Sequence, residues 1–376
     1  TLGLYAWPVY HWVSAGIRDM GTFVADPVKT PIPPEAPFIY REFVSPDSGS
    51  GVVHVGSICE LPQGRLAAAW YGGTREGARD VAVFLSIKGP EKASWSRPKM
   101  IVDRVSASRE LSRYVKKVGN PLLFSGPGGR LWLVYVSISV GGWSGSSLNV
   151  KWSDDAGITW SNSLRLTLSP FFNISELVRN RPLPLSRSGF AVPIYHECLG
   201  YFPEILWLHP GAAATDIHFK KSRMAGGQSF IQPSVVALGP SAATAFYRCL
   251  SHEKAIGTAV TGDAGATWSE PQLLPLPNPD AALDALLLSD QRILLAFNDS
   301  PVNRETLRLA VSHDQGRHWT RIATLENAPG GEFSYPYMIR TQDGRIHLAY
   351  TWDRKRIQHV VFNEAWIEAQ MKGTIQ

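Results

Sequence analysis

Three aspartates recur in one setting, and the chemistry of that setting is a turn. The segments are Ser153-Asp-Asp-Ala-Gly-Ile-Thr-Trp160, Thr261-Gly-Asp-Ala-Gly-Ala-Thr-Trp268 and Ser312-His-Asp-Gln-Gly-Arg-His-Trp319. Each follows a strand-like apolar run: Leu148–Trp152, Ala255–Val260 and Leu307–Val311. The shared pattern is Ser/Thr-x-Asp-x-Gly-x-Thr/His-Trp. A carboxylate at its third position can accept backbone N–H groups across a hairpin turn. Glycine two residues on tolerates the positive φ that such a turn needs. The tryptophan is expected to pack onto the next hairpin. Asp155, Asp263 and Asp314 are therefore read as structural rather than catalytic carboxylates.

The intervals between these tryptophans, 108 and 51 residues, stand in a ratio of about two, so a degenerate copy should lie in the longer one. Lys221–Phe230 fits, lacking the Asp and carrying Phe for Trp, and Ser94-Trp95-Ser96 resembles Trp160-Ser161 and Trp268-Ser269. Apolar runs flanked by turns recur at 65–70, 81–87, 131–136, 190–194, 293–297 and 345–351. A period near 50 residues built from four-stranded units is the pattern of a propeller. The 33 Gly, 27 Pro and 13 Trp agree with many short strands and tight turns. Helical periodicity is confined to Glu364–Lys372. With 376 residues, 44% hydrophobic and 18% charged, the chain can build one large core, which excludes global disorder. The predicted fold is all-β, a six-bladed β-propeller of four-stranded antiparallel blades over residues 45–365. An extended arm over 1–44, with Pro31, Pro33, Pro34 and Pro37, precedes it, and a tail over 366–376 follows.

The formal net charge of +5 and the pI of about 9.0 point weakly to anionic partners. The basic residues are scattered and no nucleic-acid motif is present, so nucleic acid is not an expected partner. Cys59, Cys198 and Cys249 make no disulfide framework and are read as packed, inert thiols. No His/Cys/carboxylate cluster has ligand spacing, so neither metal nor cofactor is expected. The apolar start, Leu2–Val13, is broken by Pro8 and His11 and is too short to span a bilayer. It reads either as the remainder of an anchor or signal segment or as an arm packed on the domain. Any membrane association is expected through residues preceding or within 1–20.

The repeats resemble the Asp-boxes of the sialidase (neuraminidase) superfamily over roughly residues 50–362, in its divergent sialidase-like branch. That resemblance implies site residues between the boxes. The family's first arginine lies ten residues before a turn glycine, and here the position before Gly64 holds His54, in Gly51-Val-Val-His-Val-Gly-Ser. An arginine and, five residues later, an acid/base aspartate correspond to Arg75 and Asp80 in Gly72-Gly-Thr-Arg75-Glu-Gly-Ala-Arg-Asp80. From the residues alone, Asp80 could instead cap the Val81 strand or pair with Arg79. The second and third carboxylate-binding arginines correspond to Arg248, in Ala243-Thr-Ala-Phe-Tyr-Arg248, and Arg304, before the last box. The catalytic tyrosine corresponds to Tyr335 in Gly331-Glu-Phe-Ser-Tyr335-Pro-Tyr, with Tyr337 expected on the same strand face. The glutamate that assists this tyrosine is replaced by Gln232; Glu332, Glu197 and Asp284 are the substitutes on offer.

These residue types suit a sugar whose anomeric carbon bears a carboxylate. Arginines bind that group in planar, bidentate fashion. A neutral phenol attacks it without the repulsion a carboxylate nucleophile would meet, as in sialidases with a tyrosine nucleophile. The phenol's ordinary pKa near 10 requires a base for its proton, which is why Gln232 matters. His54 could pair with a carboxylate as an imidazolium, or act as an acid or base itself. The implied activity is exo-hydrolysis of a 2-ulosonic acid from an acidic glycan, either sialic acid or 3-deoxy-octulosonate of lipopolysaccharide. The alternatives are a polysaccharide lyase acting on a terminal uronate and a non-catalytic carbohydrate-binding propeller. Such a substrate, with the apolar start, implies the periplasm or the cell surface.

Overall fold

The computed structural model describes residues 21–25, 35–47, 49, 51–90, 92, 94–169, 173–211 and 216–374. The aromatic segment 2–13 and Pro31, Pro33 and Pro34 lie outside the described residues. Six antiparallel sheets follow one another along the chain, five of four strands and one, the third, of five. The architecture is the six-bladed propeller that the repeats predict. The innermost strands of blades I to VI are Val52–Leu61, Lys117–Ser125, Glu176–Val178, Phe230–Ala237, Asp284–Leu287 and Phe333–Arg340.

Central strands are covered on both faces by neighbouring blades, so they read as nearly continuous apolar runs instead of alternating ones. In blade II, every residue of Leu131–Ile138 is buried. The ring is closed by the chain's two ends. Ile39–Phe43 pairs antiparallel with Arg356–Phe362, Ile39 opposite Phe362 and Phe43 opposite Gln358, and so forms the outer strand of blade VI. The propeller therefore starts at Ile39, inside the segment that sequence assigns to the arm. A second piece of that arm is also docked: Phe23 is buried, bridges Leu185 of blade III and donates its N–H to Pro240 O. At the other end, Glu364–Thr374 is a helix whose buried Ile367 packs on blades V and VI. Among the described residues, no helix is long and apolar enough to cross a membrane.

The three aspartate boxes join the third and fourth strands of blades II, IV and V. Asp155 Oδ1 accepts Thr159 N at 2.8 Å and Ser153 Oγ at 2.7 Å, while Oδ2 accepts Thr159 Oγ1 at 2.5 Å. Asp263 and Asp314 repeat the arrangement with Thr267 and His318. Hydrogen bonds from Thr159 hold Asp155 down at about 2, and those from Thr267 do the same for Asp263. Gly157, at φ +88°, is boxed in: a Cβ there would stand 2.5 Å from Leu85 Cδ2.

That contact corrects one expectation. Each box packs back on the preceding blade, Gly157 on Leu85 of blade I, Gly265 on Trp207 of blade III and Gly316 on Phe246 of blade IV. Trp319 meets Phe246 edge-on, with ring centroids 5.5 Å apart. Ser94-Trp95-Ser96 is equivalent to the boxed turns, because Ser96 exchanges with Ile87 the same pair of bonds that Ser161 makes with Trp152 and Ser269 with Val260. Lys221–Phe230 is not the missing box. It begins inside the fourth strand of blade III, Ile217–Arg223, and runs on from its end, whereas the box position is the connection between the third strand, Phe202–Pro210, and the fourth.

Asp284, a sequence candidate for the site, is a clip between blades. Its carboxylate is 1% exposed and accepts Ser234 Oγ of blade IV at 2.6 Å and Met338 N of blade VI at 2.6 Å. Asp284→Ala leaves both buried donors unpaired and is expected to cost about 2–4 kcal/mol in urea unfolding. An unchanged unfolding midpoint would show that the clip carries no load.

Candidate active site

The mouth of the propeller is shaped by an irregularity shared by four blades. The innermost strands of blades I, II, IV and VI each carry one extra residue relative to the second strand, between His54 and Ser57, Gly119 and Leu122, Ile231 and Ser234, and Ser334 and Tyr337. At each bulge a non-glycine residue takes positive φ: Val55 at 53°, Asn120 at 42°, Gln232 at 52° and Tyr335 at 57°. A bulge bends the strand and re-aims side chains. Backbone strain of this kind costs on the order of 1–3 kcal/mol per residue and persists only where its surroundings enforce it.

For Tyr335 the enforcing group is Arg179, which sequence reasoning missed. Arg179 is fully buried under blade VI, and its Nη2 donates to Tyr335 O at 2.5 Å and Pro336 O at 3.0 Å. Its guanidinium lies 5.4 Å from the Tyr335 ring and 5.5 Å from the Tyr337 ring. The bulge also breaks the two-residue period. Tyr335 is half-buried at the mouth, while Tyr337 is fully buried in the core, so the expectation of a shared strand face fails.

Around Tyr335 runs a chain of alternating charges supplied by loops at one end of the blades. Arg354 binds Glu76 through Nη1 and Glu332 through Nε, both at 2.7 Å. Glu332 lies 3.6 Å from Arg304, whose Nη2 donates to Asp280 O at 3.0 Å and whose guanidinium is 5.8 Å from the Tyr335 ring. Asp280 binds Arg248 Nε at 2.6 Å, and Arg248 Nη1 donates to Gln232 Oε1 at 3.3 Å. Gln232 Nε2 and Asn120 Nδ2 both donate to the buried Tyr195 hydroxyl, at 3.1 and 3.4 Å. Burial opposes charge on Arg248, but Tyr335, Asp280 and Tyr195 outweigh it and hold the guanidinium firmly protonated.

The sequence-derived candidates divide. Tyr335, Arg248, Arg304, Gln232, Glu332 and His54 come together at the mouth. Glu197 joins them on the blade III loop, where burial pushes its carboxyl up, Asp280 adds to this, and Arg248 and His196 oppose it. Arg75 and Asp80 are exposed on the loop after Arg65–Gly73. Asp80 accepts Thr74 N and Thr74 Oγ1, both at 2.9 Å, and the Thr74 bonds hold it below the ordinary carboxylate range. From the same loop it is Glu76 that reaches the charged chain. Asp284 belongs to the core clip.

His54 occupies the place where the family resemblance puts an arginine. Its ring is 1% exposed, meets Tyr335 edge-on at 4.6 Å between centroids, and shares a 3.2 Å hydrogen bond between Nδ1 and Thr351 Oγ1. Burial first, then Arg354, Arg304 and Arg179, drive its pKa well below the histidine norm. Of the two roles that the sequence leaves open for His54, imidazolium partner of a carboxylate or acid–base group, this environment disfavours the first. Arg354, from the opposite end of the sequence, brings a guanidinium to the same region.

One further group escaped the sequence reading. Glu176, His196 and Glu204 of blade III bring ligand atoms within 4.8 Å of one another. Lys221 stands among them, bonded to Glu176 and lying 3.1 Å from Glu204, and so supplies the balancing cation. Cys59 and Cys249 are buried as expected, whereas Cys198 is exposed.

Residues 64–348 match the family described as BNR repeat-like domain. The chain belongs to that family. A search among curated proteins returned no match. Similar solved structures include a Hadza microbial sialidase, Hz136, with TM-score 0.68 and 14% identity, covering 82% of this chain and 65% of that one. A leech intramolecular trans-sialidase gives TM-score 0.67 and 12% identity over 88% of this chain and 71% of its own. The NanB sialidase from Streptococcus pneumoniae gives 0.64 and 11% over 85% and 70%. The present chain thus spans about two thirds of the Hz136 chain's length, and likeness at these identities concerns the fold.

The neutral state of His54 has a measurable consequence. Because folding lowers its pKa, the neutral ring contributes stability above the ordinary histidine range, and that contribution is lost as pH falls below about 6.5. Imidazole NMR of the folded protein is expected to show His54 titrating well below the ordinary histidine midpoint of about 6.5; a midpoint near that value would contradict this electrostatic environment.

Proposed function

We propose that the chain is an exo-glycoside hydrolase that releases a terminal sugar bearing a carboxylate, a 2-ulosonic acid such as sialic acid or 3-deoxy-octulosonate. The observation that carries this reading is the gathering of Arg248, Arg304 and Arg354 around a phenol held in strained conformation. A planar carboxylate entering the mouth would exchange with Glu332 or Asp280 for guanidinium partners it binds in bidentate fashion. The sugar's anomeric carbon would then face Tyr335.

In the proposed reaction Tyr335 Oη bonds to the anomeric carbon as the bond to the leaving oxygen breaks. Glu332, which shares Arg304 with Tyr335, takes the phenol proton; Gln232 has no basic site for it. A carboxyl group on the blade I loop protonates the leaving oxygen and later activates water. Asp80 is the residue the sequence offers for that role. Glu76, on the same loop and already at the charged chain, competes for it.

The neutral His54 beside Tyr335 favours one second reading, lyase action on a terminal uronate. An unprotonated imidazole can remove the C5 proton while the arginines neutralise the carboxylate.

Product analysis on a panel of acidic glycans separates these readings. Hydrolysis gives a free reducing ulosonic acid; elimination gives an unsaturated uronate with its own absorbance. For the hydrolase, Tyr335→Phe is expected to lower kcat/KM at least about 100-fold without loss of fold. Asp80→Asn and Glu76→Gln identify the acid, since only the true one falls by about 100-fold or more. Wild-type rates in Tyr335→Phe would remove the tyrosine from the mechanism.

A further inference from the structure

A second site lies at the opposite end of the molecule, in the seam where the last blade meets the first. In each blade the second strand runs from one end of the propeller to the other, so the turns at 62–64 and 341–345 lie at the end away from Glu76 and Arg354. Between them is a cavity of about 470 Å³, bordered by the closing strand Ile39–Phe43 and by blades I and VI. That size suits a small ligand of one or two rings.

Its inner wall is a directed chain of hydrogen bonds. Glu42 Oε1 accepts Lys88 Nζ at 2.5 Å, Trp95 Nε1 at 3.2 Å and His359 Nδ1 at 3.1 Å. His359 Nε2 in turn lies 2.9 Å from His347 Nδ1, with the rings nearly parallel. Burial, the largest influence on each, lowers both imidazoles below the histidine norm; His359 and nearby cations add to this at His347, while Glu42 opposes it at His359. With Glu42 as acceptor, the tautomers follow: His359 carries its proton on Nδ1, His347 on Nδ1, and the lone pair of His347 Nε2 is left unused. His347 lines the cavity, and its Nε2 has no hydrogen-bond partner among the described residues.

The remaining lining sets the ligand's class. The cations Lys88, Lys92 and Arg345 are matched in number by Glu42, Glu60 and Asp343. Lys88 is held by Glu42, and Arg345 lies 3.5 Å from Asp343, so little positive field is left for a bare anion. Phe38 and Tyr40 border the opening; Tyr40 is 51% exposed, and Lys88 Nζ stands 5.7 Å from the centre of its ring. An aromatic face beside fixed acceptors and donors suits a ring that is apolar on one side and hydroxylated at its edge.

We propose that this cavity binds a neutral hexose unit, with its ring against Tyr40 and a hydroxyl donating to His347 Nε2. The site is independent of the chemistry at the mouth. Calorimetric titration of the full chain with methyl β-D-galactopyranoside, methyl β-D-glucopyranoside and methyl α-D-mannopyranoside tests it, with sodium phosphate as the anionic control. At least one hexoside is expected to bind with Kd in roughly the millimolar range, more tightly than phosphate. Tyr40→Ala, at an exposed edge-strand position, and His347→Phe should each weaken it about tenfold or more. Tyr335→Phe should leave it unchanged. The proposal is overturned if no hexoside binds, if phosphate binds more tightly than all three, or if binding survives Tyr40→Ala.

Discussion

An arginine buried beneath a bulge holds the mouth of this propeller in shape. Arg179 donates from Nη2 to the carbonyls of both Tyr335 and Pro336, and this fixes a non-glycine residue in the left-handed region where the innermost strand of blade VI would otherwise run regularly. Without the bulge, Tyr335 would keep the alternation of its strand, and the phenol would not stand among the guanidinium groups. The same device in blades I, II and IV places Val55, Asn120 and Gln232 around the axis, so the site is built from one repeated backbone distortion.

The electrostatics follow from that geometry. Carboxylates and guanidiniums alternate from Glu76 to Arg248, so the charges along this chain are paired, as desolvation favours, while the buried Arg179 leans on two backbone carbonyls. An incoming carboxylate need only exchange partners within this chain. Such pairing also explains why His54 can stand where an arginine is expected: three guanidiniums already surround it, and a fourth charge there would be strongly opposed.

Much of the fold was legible because the boxed turns have fixed chemistry. Ser or Thr, Asp, Gly and Trp at set offsets can be read directly, and Ser96 shows that even a box without its aspartate keeps the two backbone-directed bonds. The closing strand was not legible. Ile39–Phe43 follows a Pro-rich stretch, shows no clear alternation, and finds its partner more than 300 residues away. At the site, the resemblance brought Tyr335, Arg248 and Arg304 to notice, but Arg179, Arg354, Tyr195 and Glu76 come from blades remote in sequence, and only the closed ring joins them. One local signal was present: Asn120-Pro121, Gln232-Pro233 and Tyr335-Pro336 each put a proline inside an innermost strand, where the missing N–H marks a residue withdrawn from the ladder.

A crystal structure of the chain with N-acetylneuraminate, and a second with 3-deoxy-octulosonate, tests the central claim most directly. In at least one of them the carboxylate is expected within hydrogen-bonding distance of two or more of Arg248, Arg304 and Arg354, with the anomeric carbon facing the Tyr335 hydroxyl. A sugar seated with its carboxylate turned to solvent, or bound away from Tyr335, would contradict it.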